Sequence, residues 1–176
     1  RLALPHMQSA YNLARALMSS PTDAEDVVQE AYLNAFKSFA SFRGQDVRPW
    51  LLAIVRNAAY GMLRARRRAG NVVAIDWPGR DHHEDLPHQV ASQEATAEER
   101  MIAAIDAAYV WQALAELPAP MREVLVLREL EEMRYQDIAD VMSLPMGTVM
   151  SRLSRARREL GRAVRRLNEK DERSAV

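Results

Sequence analysis

The chain has 176 residues, of which 48% are hydrophobic and only six are glycine, so we expect a packed, helix-rich protein of one domain or two small ones. It contains no cysteine, which excludes disulfide bonds, thiolate zinc sites and direct thiol redox sensing. No apolar run approaches the roughly 18 residues that a membrane span needs, and no signal peptide opens the chain, so we expect a cytoplasmic location without membrane insertion.

The formal net charge of zero conceals an uneven distribution. Residues 1–70 carry 10 basic and 5 acidic side chains, and residues 147–176 carry 9 and 4. The segments 71–100 and 101–146 between them are both acidic. Nucleic-acid binding responds to local positive potential, so the two basic segments are compatible with DNA binding, with ordinary solvated helix surface as the alternative.

The first helices are predicted from apolar residues at helical intervals. One helix is expected from Leu4 to Met18, and Thr22 to Glu25 has the spacing of a capping box that opens a second. The second helix is predicted to turn inward Val27, Ala31 and Ala35, beside Val28, Tyr32, Phe36 and Phe39. A polar loop over 41–48 precedes a third helix that begins at Pro49 and ends in an arginine run. These elements predict an all-helical domain over residues 1–70.

Helical periodicity is absent from residues 71–95, where prolines, a glycine and acidic residues predict a flexible linker. Its histidines are His82, His83 and His88. Without a cysteine or a helical pair of histidines four residues apart, they predict no metal site.

A second helical domain is predicted over residues 96–168. Thr96 to Glu99 again has capping-box spacing and opens a helix that ends near Leu117. The next helix, over 121–130, has two possible inner faces, formed either by Val124, Leu127 and Leu130 or by Val124, Leu125 and Arg128.

Residues 134–158 have the spacing of a helix-turn-helix. Pro145 interrupts the helical pattern, because proline disfavours helical geometry in the residue before it. The stripe expected to be buried on the second helix consists of Val149, Leu153, Ala156 and Leu160. Hydroxyl and guanidinium groups lie off this stripe, as suits a helix in the DNA major groove. This helix is expected to end near Leu167, with residues 169–176 forming a frayed tail.

Three segments in order resemble an extracytoplasmic-function sigma factor, the minimal two-domain branch of the bacterial sigma-70 family. They are DAEDVVQEAYLNAF at 23–36, FRGQDVRPWLLAIVRNAAYGMLRARRR at 42–68, and the region from Leu117 to Leu160. The resemblance implies an all-α fold with a region 2-like domain and a region 4-like domain joined by the acidic linker.

The resemblance also implies roles for residues of the first domain. Asp23, Asp26 and Glu30 are expected to face the coiled-coil clamp of the largest catalytic subunit of core RNA polymerase. Phe42 and Arg43 fall in the loop that captures a base flipped from the minus-ten element, and Asn57 matches a position that helps to read it. Phosphates around the opening bubble are expected to contact Arg64, Arg66, Arg67 and Arg68.

In the second domain, the residues that match the reader of the minus-thirty-five element are Met150, Ser151, Ser154 and Arg155. Arg152 and Arg158 are expected on phosphates, and Thr148 near the helix N-terminus on the DNA backbone. Two residues depart from the family pattern. Met150 replaces a basic residue that many relatives carry, and Gly61 replaces an acidic one.

The sequence thus predicts a sigma factor that performs no catalysis and needs no cofactor, metal or small-molecule substrate. Its expected partners are core polymerase, promoter DNA and an anti-sigma factor. A free-standing helix-turn-helix regulator is an alternative, but it leaves residues 23–68 without a role. A sigma-mimic that sequesters an anti-sigma factor is another, and it has no need of the DNA-facing arginines.

Overall fold

The computed structural model describes residues 2–18, 20–44, 46–69 and 108–174, without the side chains at 171, 173 and 174. Within these ranges all regular secondary structure is helical, which confirms the predicted all-α class. None of the helices in the described ranges is long and apolar enough to cross a membrane. The predicted linker and the capping box at Thr96 lie outside the described residues.

Two helices open the N-terminal half. A short 3₁₀ turn over Leu4–His6 leads into α1, Met7–Leu17, and α2 follows over Pro21–Ser38. The cap of α2 differs from the predicted capping box at Thr22, because the Ser20 side chain accepts the backbone N–H of Asp23 at 3.1 Å. Pro21 then occupies the first turn of the helix, where its missing N–H would have no partner in any case.

The third helix, α3, spans Val47–Arg68 and begins two residues before the predicted start at Pro49. Asp46 caps it by accepting the backbone N–H of Arg48 at 2.9 Å. The predicted loop is therefore shorter, and a 3₁₀ turn over Phe39–Ser41 precedes it. The buried face of α3 consists of Val47, Leu51, Leu52, Val55, Ala58 and Ala59.

The C-terminal half begins with a helix at 108–115, here α4, followed by α5 over Ala119–Leu125 and one wide turn of π-helix over Val126–Leu130. Neither predicted inner face describes this segment. The four consecutive residues from Val124 to Leu127 are all buried, whereas Leu130 is exposed. The reason is that α5 packs against α1 on one side and against the last helix on another, so one face is not enough.

The helix-turn-helix consists of α6, Tyr135–Met142, and α7, Met146–Ser174. Ser143 ends α6 in the left-handed conformation, with φ 53° and ψ 48°. The carbonyl of Pro145 then accepts the N–H groups of Thr148 and Val149, at 2.9 and 3.1 Å. The helix extends past the predicted end near Leu167, since α7 continues to Ser174.

Packing accounts for α7 as far as Leu167, and the helix continues beyond this last buried residue. Its buried stripe runs through Val149, Leu153 and Ala156 as predicted, and it continues to Ala163 and Leu167, whereas Leu160 of the predicted stripe is only half-buried. The Tyr109 hydroxyl donates to the carbonyl of Val164 at 3.3 Å, so α4 provides a surface on which the later turns of α7 are held.

The two halves pack directly against each other. Helix α1 contacts α5, and α3 contacts α6, the first helix of the helix-turn-helix. Buried residues of both halves form one continuous hydrophobic cluster. The sequence left this arrangement open, and it determines where the candidate DNA-reading surfaces lie.

Candidate nucleic-acid and polymerase interfaces

The first candidate surface lies on the N-terminal turns of α7. Five of the predicted minus-thirty-five residues are exposed there, namely Met150, Ser151, Ser154, Arg155 and Arg158. They lie together because Val149, Leu153 and Ala156 bury the opposite side of the helix. The Ser151 hydroxyl donates to the carbonyl of Thr148 at 3.0 Å, and Thr148 is half-buried.

A second methionine belongs to this surface and was missed from the sequence. Met146 is 48% exposed and Met150 is 51% exposed. They are one helical turn apart, so their side chains lie on the same face. The signal in the sequence is the spacing of four residues between the two methionines.

Arg152 is placed differently from the other predicted DNA contacts. It is half-buried, and its positive charge acts on Glu123 and on Tyr60 of the N-terminal half. This residue of α7 therefore lies near the interface between the halves.

The second candidate surface surrounds the loop before α3. The ring centroid of Phe42 lies 5.0 Å from that of Trp50 and 6.2 Å from that of Phe39. A Cβ at Gly44 would lie 2.8 Å from the Phe42 ring, so only glycine allows this approach. The cluster offers aromatic faces on which a base can stack. The sequence indicated Phe42, but not the contributions of Phe39 and Trp50.

The predicted DNA contacts on α3 do not form one set. Four of them are exposed, as a DNA contact requires, namely Asn57, Arg64, Arg67 and Arg68. Arg66 instead forms a two-pronged ion pair with Asp23 of α2, with one N–O distance of 2.6 Å. Its hydrogen bonds lower the pKa of Asp23 below the ordinary value. A predicted phosphate contact and a predicted polymerase contact are thus paired with each other.

The remaining polymerase-binding candidates lie on the outer face of α2. Asp26 and Glu30 are exposed. Leu33 is 57% exposed and Phe36 is 85% exposed, although the sequence pattern had placed Phe36 beside the inner face. Exposed acidic and large apolar side chains on one helix are typical of a protein-binding surface.

A buried polar cluster joins the two halves around Glu123. This side chain is fully buried, accepts a hydrogen bond from the Tyr60 hydroxyl at 3.1 Å, and forms an ion pair with Arg56. Burial raises its pKa, and burial together with Glu123 raises the pKa of Tyr60 to about 12. The Arg56 guanidinium also lies over the Tyr60 ring, 4.7 Å from its centroid.

Two further polar contacts join the halves. Glu131 forms an ion pair with Arg48 and accepts a hydrogen bond from the Asn12 amide at 2.8 Å. The Arg122 Nε donates to the carbonyl of Ala16, near the end of α1, at 2.6 Å. Among the described residues, the buried charged ones are Arg122, Glu123 and Glu131, and all three bind the other half. No pattern in the sequence indicates these pairings.

The described ranges contain no cluster of three or more histidine, aspartate or glutamate side chains suited to a metal ion. The linker histidines at 82, 83 and 88 lie outside those ranges.

Two family models match the chain. The model for sigma-70 region 2 matches residues 2–69, and the model for sigma-70 region 4 matches residues 107–160. The RNA polymerase sigma-H factor of Pseudomonas aeruginosa is 32% identical over 170 residues, which cover 94% of this chain and 86% of that protein. The ECF RNA polymerase sigma-E factor of Haemophilus influenzae is 37% identical over 145 residues, covering 78% and 72%.

Solved structures show the same architecture. The sigma factor RpoE of Bartonella quintana, in complex with the anti-sigma factor NepR, aligns with a TM-score of 0.69 and 27% identity over 93% of this chain and 94% of that one. CnrH in complex with the cytosolic domain of CnrY aligns with a TM-score of 0.57 and 25% identity over 91% and 82%.

Proposed function

The chain belongs to the extracytoplasmic-function branch of the sigma-70 family, whose members are transcription initiation factors, and we propose that the two exposed basic surfaces of this chain direct RNA polymerase to specific promoters. The observation that carries the proposal is the exposed face of α7, where hydroxyl, thioether and guanidinium groups lie opposite a buried stripe. In this role the chain reads DNA and positions polymerase, and it performs no catalysis.

At the upstream element, the N-terminal turns of α7 enter the major groove. Arg155 offers two parallel donors, which match the O6 and N7 acceptors of guanine. Arg158 lies four residues, about one helical turn, after Ser154 and is suited to a phosphate. Phosphate contacts fix the position of the helix, and base-edge contacts provide the specificity.

At the downstream element, Phe42 and Trp50 receive a base extruded from the duplex. Extrusion costs a few kcal/mol of stacking and pairing, and stacking on aromatic side chains restores about 1–3 kcal/mol per base. Asn57 and the exposed arginines of α3 hold the unpaired strand and its phosphates. The chain thereby stabilises the open promoter.

The polymerase contact is made by the outer face of α2. Asp26 and Glu30 supply charge, and Leu33 and Phe36 supply apolar area, to the coiled-coil clamp of the largest catalytic subunit. Because the clamp belongs to polymerase, the chain acts in the cytoplasm. An anti-sigma factor is a further expected partner, by analogy with the complexes that two similar proteins form.

The decisive experiment is transcription in vitro with purified core polymerase and a library of random promoters. We expect transcripts only when the chain is present, with a shared sequence at two spaced positions. Tight and specific duplex binding without polymerase would instead support a free-standing regulator. Binding of an anti-sigma factor without any transcription would support a sigma-mimic.

A further inference from the structure

We propose that Asp23 is a positioning residue for promoter opening, because its ion pair with Arg66 holds the C-terminal end of α3 in place. The inference rests on the proposed function, since it concerns how this end of the helix meets the unpaired strand. The exposed arginines presented there are Arg64, Arg67 and Arg68. Both members of the pair thereby change roles, because the family resemblance assigned one of them to polymerase and the other to phosphate.

The C-terminal end of α3 has little apolar packing of its own. The buried residues of this helix end at Ala59, and the partly buried apolar residues that pack on the core end at Leu63. Between residues 64 and 69, Arg66 alone is not exposed. Helix ends fray, and most helical stability in proteins comes from packing. Arg66 is therefore the residue that attaches this end of α3 to the rest of the N-terminal half.

The charges of this end oppose a well-ordered helix. Arg64 lies four residues before Arg68, a spacing at which like charges destabilise a helix. Two more arginines stand between them at 66 and 67. A carboxylate from another helix offsets part of this repulsion, and Asp23 supplies one.

The geometry of the pair suits an anchor. Asp23 lies in the first turn of α2 and Arg66 in the last turn of α3, and the two helices pack side by side. Both terminal nitrogens of the guanidinium donate to the carboxylate, one of them at 2.6 Å, and such a two-pronged pair fixes orientation as well as distance. Each charge also lies at the helix end whose dipole favours it.

The pair lies where the polymerase-binding face of α2 meets the arginine end of α3. The Asp23 side chain is only 16% exposed, so Asp26 and Glu30 are the acidic groups that α2 offers to polymerase. The hydrogen bonds to Asp23 raise the pKa of Arg66, and the charge of Asp26 acts in the same direction. The pair therefore connects the helix that polymerase holds to the arginines that meet the melted DNA.

Asp23→Asn tests the positioning role, because it removes the charge and keeps the shape. In holoenzyme on a duplex whose downstream element, taken from the promoter library, is unpaired, we expect about tenfold weaker binding. Re-ordering the backbone of one residue costs about that factor. The salt dependence is expected to become shallower, because fewer phosphates are neutralised.

Other outcomes of this measurement count against the proposal. Loss of a negative charge without a positioning role would strengthen DNA binding, so unchanged or tighter binding by Asp23→Asn would overturn it. A tenfold loss of affinity for core polymerase would also overturn it, because Asp23 would then belong to the polymerase contact.

A double-mutant cycle identifies what Arg66 does. If the pair acts as one unit, Arg66→Gln weakens binding as much as Asp23→Asn, and the double variant D23N/R66Q is no weaker than either. Asp23→Glu keeps the carboxylate and is expected to retain most of the binding. Additive losses in the double variant would show that Arg66 contacts a phosphate directly, and would overturn the proposal.

Amide hydrogen exchange in the free chain measures the anchor without polymerase or DNA. We expect Asp23→Asn to accelerate exchange at residues 64–68 and to leave the earlier turns of α3 unchanged. Equal acceleration throughout the chain, or none, would overturn the proposal. Failure of the unmodified holoenzyme to bind or transcribe refutes the proposed function instead, and the exchange measurement still reports on the pair.

Glu116→Gln is the matched control. It breaks an ion pair with Arg166 inside the C-terminal half. Binding to the unpaired element and exchange at residues 64–68 are both expected to stay unchanged. A loss of binding as large as that in Asp23→Asn would overturn the assignment to the Asp23–Arg66 pair.

Discussion

In the proposed function, single residues on the exposed face of α7 decide which bases are read. Arg155 is exposed on α7. Within the described ranges it forms no ion pair, whereas Arg157 is paired with Glu129. The guanidinium of Arg155 is therefore available to a base edge. The sequence does not distinguish Arg155 from Arg157, because both lie off the buried stripe and only the structure shows which one is already paired.

We expect Arg155→Ala to weaken promoter binding by about 1–3 kcal/mol and to relax specificity at one position of the upstream element. Binding by polymerase that carries the variant, measured on duplexes with each base changed in turn, tests this. Arg162→Ala, on the same helix but beyond the candidate surface, is the control. A uniform loss over all sequences would reassign Arg155 to a phosphate.

Met150 departs from the family pattern, and the structure adds Met146 beside it. Thioether side chains contact apolar groups, and the apolar group in the major groove is the thymine methyl. We expect replacement of thymine by uracil at one upstream position to cost about 0.8 kcal/mol, the value of one buried methyl-sized group. Met150→Ala should remove this sensitivity at its position and leave that of other positions unchanged. Equal sensitivity in the variant would show that Met150 reads no methyl.

At the scale of elements, helix ends and lengths depended on neighbours that the sequence pattern does not reveal. Ser20 caps α2 instead of Thr22, because the chain enters the helix in an extended conformation at Ser20. Helix α7 is longer than predicted, and it extends past Leu167, its last buried residue. Asp23 and Arg66, which the sequence assigned to different partners, are joined because α2 and α3 lie side by side.

Gly61 provides a test of helix α3. A Cβ at this position would meet nothing within 4 Å, so the glycine answers no packing requirement. We expect Gly61→Ala to raise the free energy of unfolding by up to about 1 kcal/mol, since glycine costs that much in a helix interior. Urea denaturation measures this. If the variant also slows promoter opening in a transcription assay, a looser helix is part of the melting function. A fall in the free energy of unfolding would contradict the open space around Gly61.

At the scale of the whole molecule, the α2 surface remains outside the contact between the halves. Phe36 is 85% exposed, so its replacement should leave folding intact. We expect Phe36→Ser to weaken binding to core polymerase by at least about tenfold, because full burial of phenylalanine is worth about 1.5–3 kcal/mol. Fluorescence anisotropy of the labelled chain with core polymerase measures the loss. Val110→Ser, at another exposed apolar residue, is the control, and equal affinity of both variants would exclude Phe36 from the contact.

The helical class, most of the buried stripe of α7, the turn at Pro145 and the family could be predicted from the sequence, because periodicity, proline chemistry and motif order are local properties of the chain. The pairing of Arg66, the outward position of Phe36 and the contact of the halves around Glu123 and Glu131 become evident only in the folded chain. The partners in those ion pairs are more than 40 residues apart. No periodic pattern links residues at such a distance, so their charge pairing becomes visible only when the helices are brought together.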